Sequence, residues 1–234
     1  MYQRVCIAFA FTLSLFLLSN VTAGSNGDAP QEGQDWIITQ DTHVWDDEVN
    51  VKDIIVTIGK TLKLENVSLN SVGSIQIHGE TEWLNSTIYH DKRDLEDNIS
   101  LYSKLEIINT VLLMNATDSY DGNNANVFYI SKEAELTIRD YDNDATTTDD
   151  RSIIKGVNGH VKGFDNRNNH SIKIGHCVKV TCSHSEEDSE LWYNDAKFSV
   201  KNSYFENTYA IRLFGNGGKI VNTHFSNIGY VNMV

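Results

Sequence analysis

The chain has 234 residues, with 32 acidic against 19 basic side chains, a formal net charge of −13 and 40% hydrophobic content. That is enough for one domain with a substantial core. So acidic a surface repels phosphate backbones and anionic lipid heads, which excludes nucleic acid and membrane surfaces as natural partners and suits divalent cations.

The first element is an export signal. Arg4 supplies a positive start, and Val5 to Ser19 is apolar apart from one Cys, one Thr and two Ser. Val21-Thr22-Ala23 places small residues where a signal peptidase reads, so cleavage after Ala23 is expected. The apolar run is about 15 residues, short for a bilayer that needs roughly 20, which favours removal over anchoring. Cys6 sits too early to be a lipid-attachment cysteine. Cleavage removes Arg4 and no acid, leaving 18 basic against 32 acidic residues and a net charge of −14. The expected location is secreted or cell surface. Residues 24–35 read as a flexible segment.

From Trp36 onward the chain reads as all-β. Only Glu186 to Tyr193 has any helical periodicity, and short β-rich runs are separated by Asn, Gly and Asp, residues that tolerate left-handed backbone. The stretch Trp36 to Val56 reads as a first, capping coil, with Trp36 and Trp45 covering the core. One phrase then recurs. Leu62-Lys-Leu64-Glu-Asn66-Val-Ser-Leu69 returns as Thr81-Glu-Trp83-Leu-Asn85-Ser-Thr-Ile88 and as Leu105-Glu-Ile107-Ile-Asn109-Thr-Val-Leu112. Later copies are Phe198-Ser-Val200-Lys-Asn202-Ser-Tyr-Phe205 and Gly218-Lys-Ile220-Val-Asn222-Thr-His-Phe225, with degenerate copies at Leu136-Thr-Ile138-Arg-Asp140 and Ile172-Lys-Ile174-Gly-His176.

The phase of each copy carries the argument. Leu62 and Leu64 alternate inward with period two, but after Asn66 the apolar positions are Val67 and Leu69. A flat strand cannot slip by one residue without turning its core face to solvent. A bend at Asn66, with one residue in the left-handed region, can. The same slip at Asn85, Asn109, Asn202 and Asn222 makes it one corner visited once per coil. The spacings of 19, 24 and 20 residues suit three short strands and three corners. Middle steps of 31 and 36 residues imply loops inserted near 115–126 and 141–171, the usual place for function in a repeat array.

This phrase resembles the right-handed parallel β-helix repeat of pectate-lyase-like and related carbohydrate-active or surface proteins, over roughly residues 36–234. The resemblance implies a single-stranded solenoid with a structural ladder of Asn66, Asn85, Asn109, Asn202 and Asn222. It also implies an apolar column of Leu64, Trp83, Ile107, Ile138, Ile174, Val200 and Ile220. A β-sandwich with Asn-rich turns is the competing arrangement; the scarcity of proline and of hairpin dipeptides speaks against it. At the C-terminus, Phe205 to Phe214 matches Phe225 to Val234 at an offset of 20, so the chain stops inside a strand without a polar cap. Further coils, or a partner covering that end, are expected.

Several residue groups could carry chemistry. Asp140-Tyr-Asp142-Asn-Asp144, with Asp149 and Asp150 nearby, has the alternating oxygen ligands of a calcium loop. Ala145 stands where an EF-hand has glycine, however, and Arg151 stands where it has glutamate, and a solvated acidic loop is the alternative. Cys177 and Cys182 are the two cysteines left after export, a candidate disulfide that needs a turn between them. With His176 and His184, and His160 and His170 nearby, they could instead ligate zinc. For sugar cleavage, the resemblance implies clustered acids binding calcium and an arginine base. Arg139 and Arg151 flank the acidic loop, but no local motif fixes either in that role. Asp149-Asp150 and Asn158-Gly159-His160 are faint echoes of a polygalacturonase-like hydrolase, whose companion basic motif is missing. Sequons occur at Asn66, Asn85, Asn98, Asn115 and Asn169. The first two belong to the repeat, which leaves Asn98, Asn115 and Asn169 as candidate glycan acceptors.

Two functions follow as expectations. The first is a non-catalytic extracellular β-helix that binds a polysaccharide or cell-surface glycan, stiffened by Ca²⁺. The second is a polysaccharide lyase or glycoside hydrolase with its cleft beside 141–171.

Overall fold

The computed structural model describes residues 23–94, 96–116, 126–131, 133–142, 150–158, 171–174, 197–208, 210–213, 218–228 and 230–233. Among these described residues all regular structure is β-strand, and no helix is long and apolar enough to cross a membrane. Strand β1, Gly24–Asn26, is followed by β2 Trp36–Ile38, β3 Thr42–Trp45 and β4 Glu48–Val51. The next three are β5 Ile54–Val56, β6 Thr61–Glu65 and β7 Ser68–Ser71; then come β8 Ile75–Ile77, β9 Glu80–Leu84 and β10 Thr87–Lys92. Strands β11 Ile99–Leu101, β12 Lys104–Ile108 and β13 Val111–Ala116 precede β14 Val127–Ile130, β15 Glu135–Arg139 and β16 Ile153–Asn158. The remainder are β17 Ser171–Ile174, β18 Lys197–Lys201, β19 Tyr204–Glu206, β20 Ala210–Leu213, β21 Lys219–Val221, β22 His224–Ser226 and β23 Tyr230–Met233.

These strands fall into three sheets taken in rotation. Sheet 1 runs β1-β3-β6-β9-β12-β15-β18-β21, sheet 2 runs β4-β7-β10-β13-β16-β19-β22, and sheet 3 runs β2-β5-β8-β11-β14-β17-β20-β23. Every third strand is therefore a hydrogen-bonded neighbour, and apart from β1 with β3 the pairings are parallel. The register aligns the repeat copy on copy. Leu64 lies beside Trp83, Trp83 beside Ile107, Ile107 beside Ile138, and Ile138 beside Val200.

The corner asparagines explain the slip in phase. Asn66, Asn85, Asn109, Asn202 and Asn222 all have φ between 43° and 55°, as does Asp46 at 53°. Each such residue ends a sheet 1 strand and lets the next inward residue fall on sheet 2. Their amides bond from circuit to circuit. Asn66 Nδ2 donates to Asp46 Oδ1 at 3.0 Å, Asn109 Nδ2 to Asn85 Oδ1 at 2.9 Å, and Asn222 Nδ2 to Asn202 Oδ1 at 3.0 Å. A second corner does the same, with Asn227 Nδ2 donating to Asn207 Oδ1 at 2.8 Å. Between the sheets sits one core of aliphatic side chains with Trp36, Trp83 and Phe128, all at most 2% exposed.

Two expectations need correction. Residues 24–35 do not read as a loose segment in the fold: β1 pairs antiparallel with β3, and Asn26 Oδ1 accepts from His43 N at 2.8 Å. Asp28 accepts from the backbone and side chains of Thr39 and Gln40, which holds its carboxyl below the ordinary range, the Thr39 amide contributing most. Trp36 Nε1 donates to Asp28 O at 2.7 Å. Apolar periodicity cannot report such a segment, because polar side chains and one short strand hold it. Nor is 141–171 a single insertion, since β16 runs through it as the sheet 2 strand of its circuit. Similarly, 115–126 has strand at its start and a buried Asn126 at its end.

Candidate binding face and acidic cluster

The outer face of sheet 1 follows from the alternation of its strands. Leu62, Leu64, Leu105 and Ile107 point into the core, so Thr61, Lys63, Glu65, Glu80, Glu82, Lys104 and Glu106 stand on the opposite side. Parallel register places Lys63 beside Glu82 and Glu82 beside Glu106. Lys63 Nζ lies 3.2 Å from Glu65 Oε2 and 3.2 Å from Glu82 Oε1, and Lys104 Nζ lies 3.1 Å from Glu106 Oε1. His43 Nε2 closes the row 3.1 Å from Glu65 Oε2. Partial burial works against the Lys63 charge, but its bonds to Glu65 and Glu82 outweigh that and hold it above the usual lysine range. Glu106 raises Lys104 in the same way, and Lys63 pulls Glu65 down. These groups are fixed charges at neutral pH.

An open groove crosses β6, β9 and β12 on this face, walled by Thr61, Lys63, Glu80, Glu82, Lys104 and Glu106 and reaching Leu62 and Thr81. Thr81 occupies the inward position held by Leu62 and Leu105 on either side. It is 5% exposed, and its Oγ1 has no hydrogen-bond partner among the described residues. A buried hydroxyl left unbonded costs free energy, and because it points into the core it lies on the opposite side of the sheet from anything held in the groove. Sequence reasoning passed over Thr81, although the signal was present as a threonine where the two neighbouring copies carry Leu62 and Leu105.

The acidic loop is placed in part. Carboxylate oxygens of Asp140, Asp142 and Asp150 lie within 4.8 Å of one another, while Asp144 and Asp149 lie outside the described residues. Asp140 is buried and also serves the corner, its Oδ2 accepting from Asn202 Nδ2 at 2.8 Å. Arg139 Nη1 donates to the carbonyls of Asp140 at 3.1 Å and Tyr141 at 3.0 Å, holding the start of this loop, and Nη2 lies 4.0 Å from Glu106 Oε2. Buried Arg151 Nε has no partner among the described residues.

Other expected sites divide. Asn115 is corrected as a loop residue: it lies in β13, 6% exposed, and its Nδ2 donates to Asp91 Oδ1 at 2.7 Å, which leaves no room for a glycan on that nitrogen in this fold. Asn98 is half-buried, with Oδ1 accepting from Lys92 Nζ at 2.9 Å. Cys177, Cys182, Asn169, His160, His170, His176 and His184 lie outside the described residues. Sequence reasoning also missed His90, which is fully buried at an inward position of β10. Its Nε2 lies 2.8 Å from Gly73 O and its Nδ1 3.0 Å from Asn126 Oδ1. Asn126 Nδ2 in turn donates to Asn115 O at 2.7 Å and His90 O at 3.2 Å.

No protein-family model matches the chain, and no curated protein and no solved structure matches it either.

Proposed function

We propose that the chain is an exported, right-handed parallel β-helix, its corner amides forming an asparagine ladder, and that it binds a glycan without cleaving it along the outer face of sheet 1. The handedness follows from the near-universal right-handed crossover between parallel strands. The observation that carries the binding reading is the groove across β6, β9 and β12, walled by Lys63, Glu80, Glu82, Lys104 and Glu106. Its walls offer donors and acceptors of both signs at strand spacing, suited to the repeating hydroxyls of a polysaccharide. Lysines raised and a glutamate lowered in pKa match binding better than proton transfer, which needs groups poised near the working pH.

Calorimetric titration with acidic and neutral polysaccharides, using Lys63→Ala and Lys104→Ala, tests this. Both lysines stand on the groove wall, so each truncation lowers glycan affinity about 2- to 10-fold. Unchanged affinity in both variants removes the groove from the account.

The converging Asp140, Asp142 and Asp150, with Arg139 and Arg151 adjacent, favour a second reading: a calcium-dependent lyase or hydrolase. Here the three carboxylates would hold Ca²⁺ as hard oxygen ligands. Millimolar Ca²⁺ then raises the melting temperature, and Asp142→Ala removes both that rise and any turnover. A flat calcium response with no turnover across the panel leaves the binding reading alone.

A further inference from the structure

Strand β1 begins at Gly24, the residue that cleavage after Ala23 exposes, and Ala23 itself is exposed. In the antiparallel register Gly24 lies opposite Trp45, Ser25 opposite Val44 and Asn26 opposite His43. The approach is close. A Cβ at residue 24 would lie 2.4 Å from Trp45 Cζ2 and 2.7 Å from Cε2, so any side chain there meets the indole. The backbone nitrogen of Gly24 is two bonds from that point, which places it within about 5 Å of the ring edge. Trp45 is only half-buried, and the His43 ring lies 5.0 Å from it, bonded to the Glu65 carboxylate on the neighbouring strand. Lys63 holds Glu65 ionised through neutral pH.

We propose that cutting the Ala23–Gly24 bond completes the fold: the new α-ammonium of Gly24 settles against the Trp45 indole and fastens β1 over the open edge of sheet 1. In the cut, water adds its oxygen to the Ala23 carbonyl carbon. The C–N bond breaks, Ala23 leaves as a carboxylate, and the Gly24 nitrogen departs as an amine and takes up a proton. Before the cut that nitrogen is a neutral amide. Afterwards it is a cation within reach of an indole, the aromatic ring that attracts cations best, with Glu65 on the adjoining strand to favour the charge. Glycine at 24 thus answers two needs, a small residue after the cut and a surface that lets the chain lie on the ring.

This inference rests on the export reading, and one series of measurements separates the two. Intact mass and N-terminal sequencing of protein recovered from the secreting host should give Gly24 as the first residue; an uncut chain sinks both readings, and a cut at another bond keeps export and overturns the docked ammonium. On that material, a ¹⁵N-detected titration of the α-amine should give a pKa about half a unit above the ordinary 7.7–8.0, returning to that range in Trp45→Leu. Nα-acetylation, which leaves every side chain in place, should speed hydrogen exchange at Ser25 and Asn26 about threefold. A terminus at Gly24 whose amine titrates normally, with exchange unmoved by acetylation, would leave export standing and overturn the docked ammonium.

Discussion

Residues 24–116 and residues 197–228 fold around the same repeated phrase but fill it differently. In the first region Val44, Leu64, Trp83 and Ile107 are at most 1% exposed, and the segment as a whole is acidic, with sixteen acids against six bases. In the second, Phe198, Ile220 and Phe225 are only partly buried, rings replace aliphatic chains, and charge reverses. Phe205 stacks on Phe225 with centroids 5.4 Å apart, Tyr204 on His224 at 4.7 Å, and residues 197–234 carry four bases against one acid. Corner geometry is common to both: Asn66 and Asn222 differ by only 8° in φ. The backbone path is thus set by where the left-handed residue falls, and the inward side chains have only to be apolar and stackable.

Truncations should break this contrast first. Trp83→Ala should cost about 3–5 kcal/mol in denaturant unfolding, because it empties the centre of the core, and Phe225→Ala less than half of that. Equal losses would show the two regions to be packed alike. Next in size, Asn85→Ala should cost about 2 kcal/mol, combining a lost amide bond with alanine forced into the left-handed region, and Asn85→Gly should recover the conformational part. Asn222→Ala should cost a similar amount if the corners are equivalent across the molecule.

His90 belongs to the first region alone and gives it a pH response. Burial pushes its pKa below the ordinary imidazole range, while Gly73 and Asn126 pull the other way without reversing it. Of the charged groups around the ring, Asp97 favours the proton and Lys92 opposes it; the register partners on β7 and β13 are Ser71 and Met114. With the folded pKa below the unfolded value near 6.5, stability is full above about pH 6.5 and declines as pH falls towards the folded pKa. Urea unfolding from pH 8 to 5 should show this decline, and His90→Gln should flatten it. The smallest effect belongs to an ion pair that ties the second region to β16. Lys155 and Glu206 pair at 3.0 Å but remain about a third exposed, so Lys155→Ala should cost less than about 1 kcal/mol, and nothing at high salt.

Much of the architecture was legible because the repeat writes it several times. Asn66, Asn85, Asn109, Asn202 and Asn222 stand at left-handed corners, and Leu64, Trp83, Ile107, Ile138, Val200 and Ile220 share a column, as period and phase require, whereas Ile174, expected in that column, lies on β17 in sheet 3. Asp46 escaped notice, although it turns the same corner, because no full copy of the phrase surrounds it. The strand β16 went unread because Ile153-Ile-Lys-Gly-Val lies apart from any asparagine copy. Asn115 misled because a sequon reports only local order of residues, whereas its burial depends on Asp91, 24 residues earlier and one strand away. The groove was invisible for the same reason: Thr61, Glu80 and Lys104 converge only once three circuits lie side by side.

These amides share a direction. At the corners Asn66, Asn109, Asn202, Asn222 and Asn227 each give a hydrogen to a side chain of the preceding circuit, as do Asn70 and Asn115 within the strands of sheet 2. Such a row has a polarity, like a polymer with a growing tip: a finished turn presents acceptors, and the next turn is templated on them. A carboxylate can found the row but cannot extend it, which suits Asp46 at the outset. Asp140 in mid-molecule therefore founds a second row, taking the hydrogen of Asn202 and having none to pass to Asn109. Asp140 thus starts the bonding afresh, at the place where Asp142 and Asp150 gather.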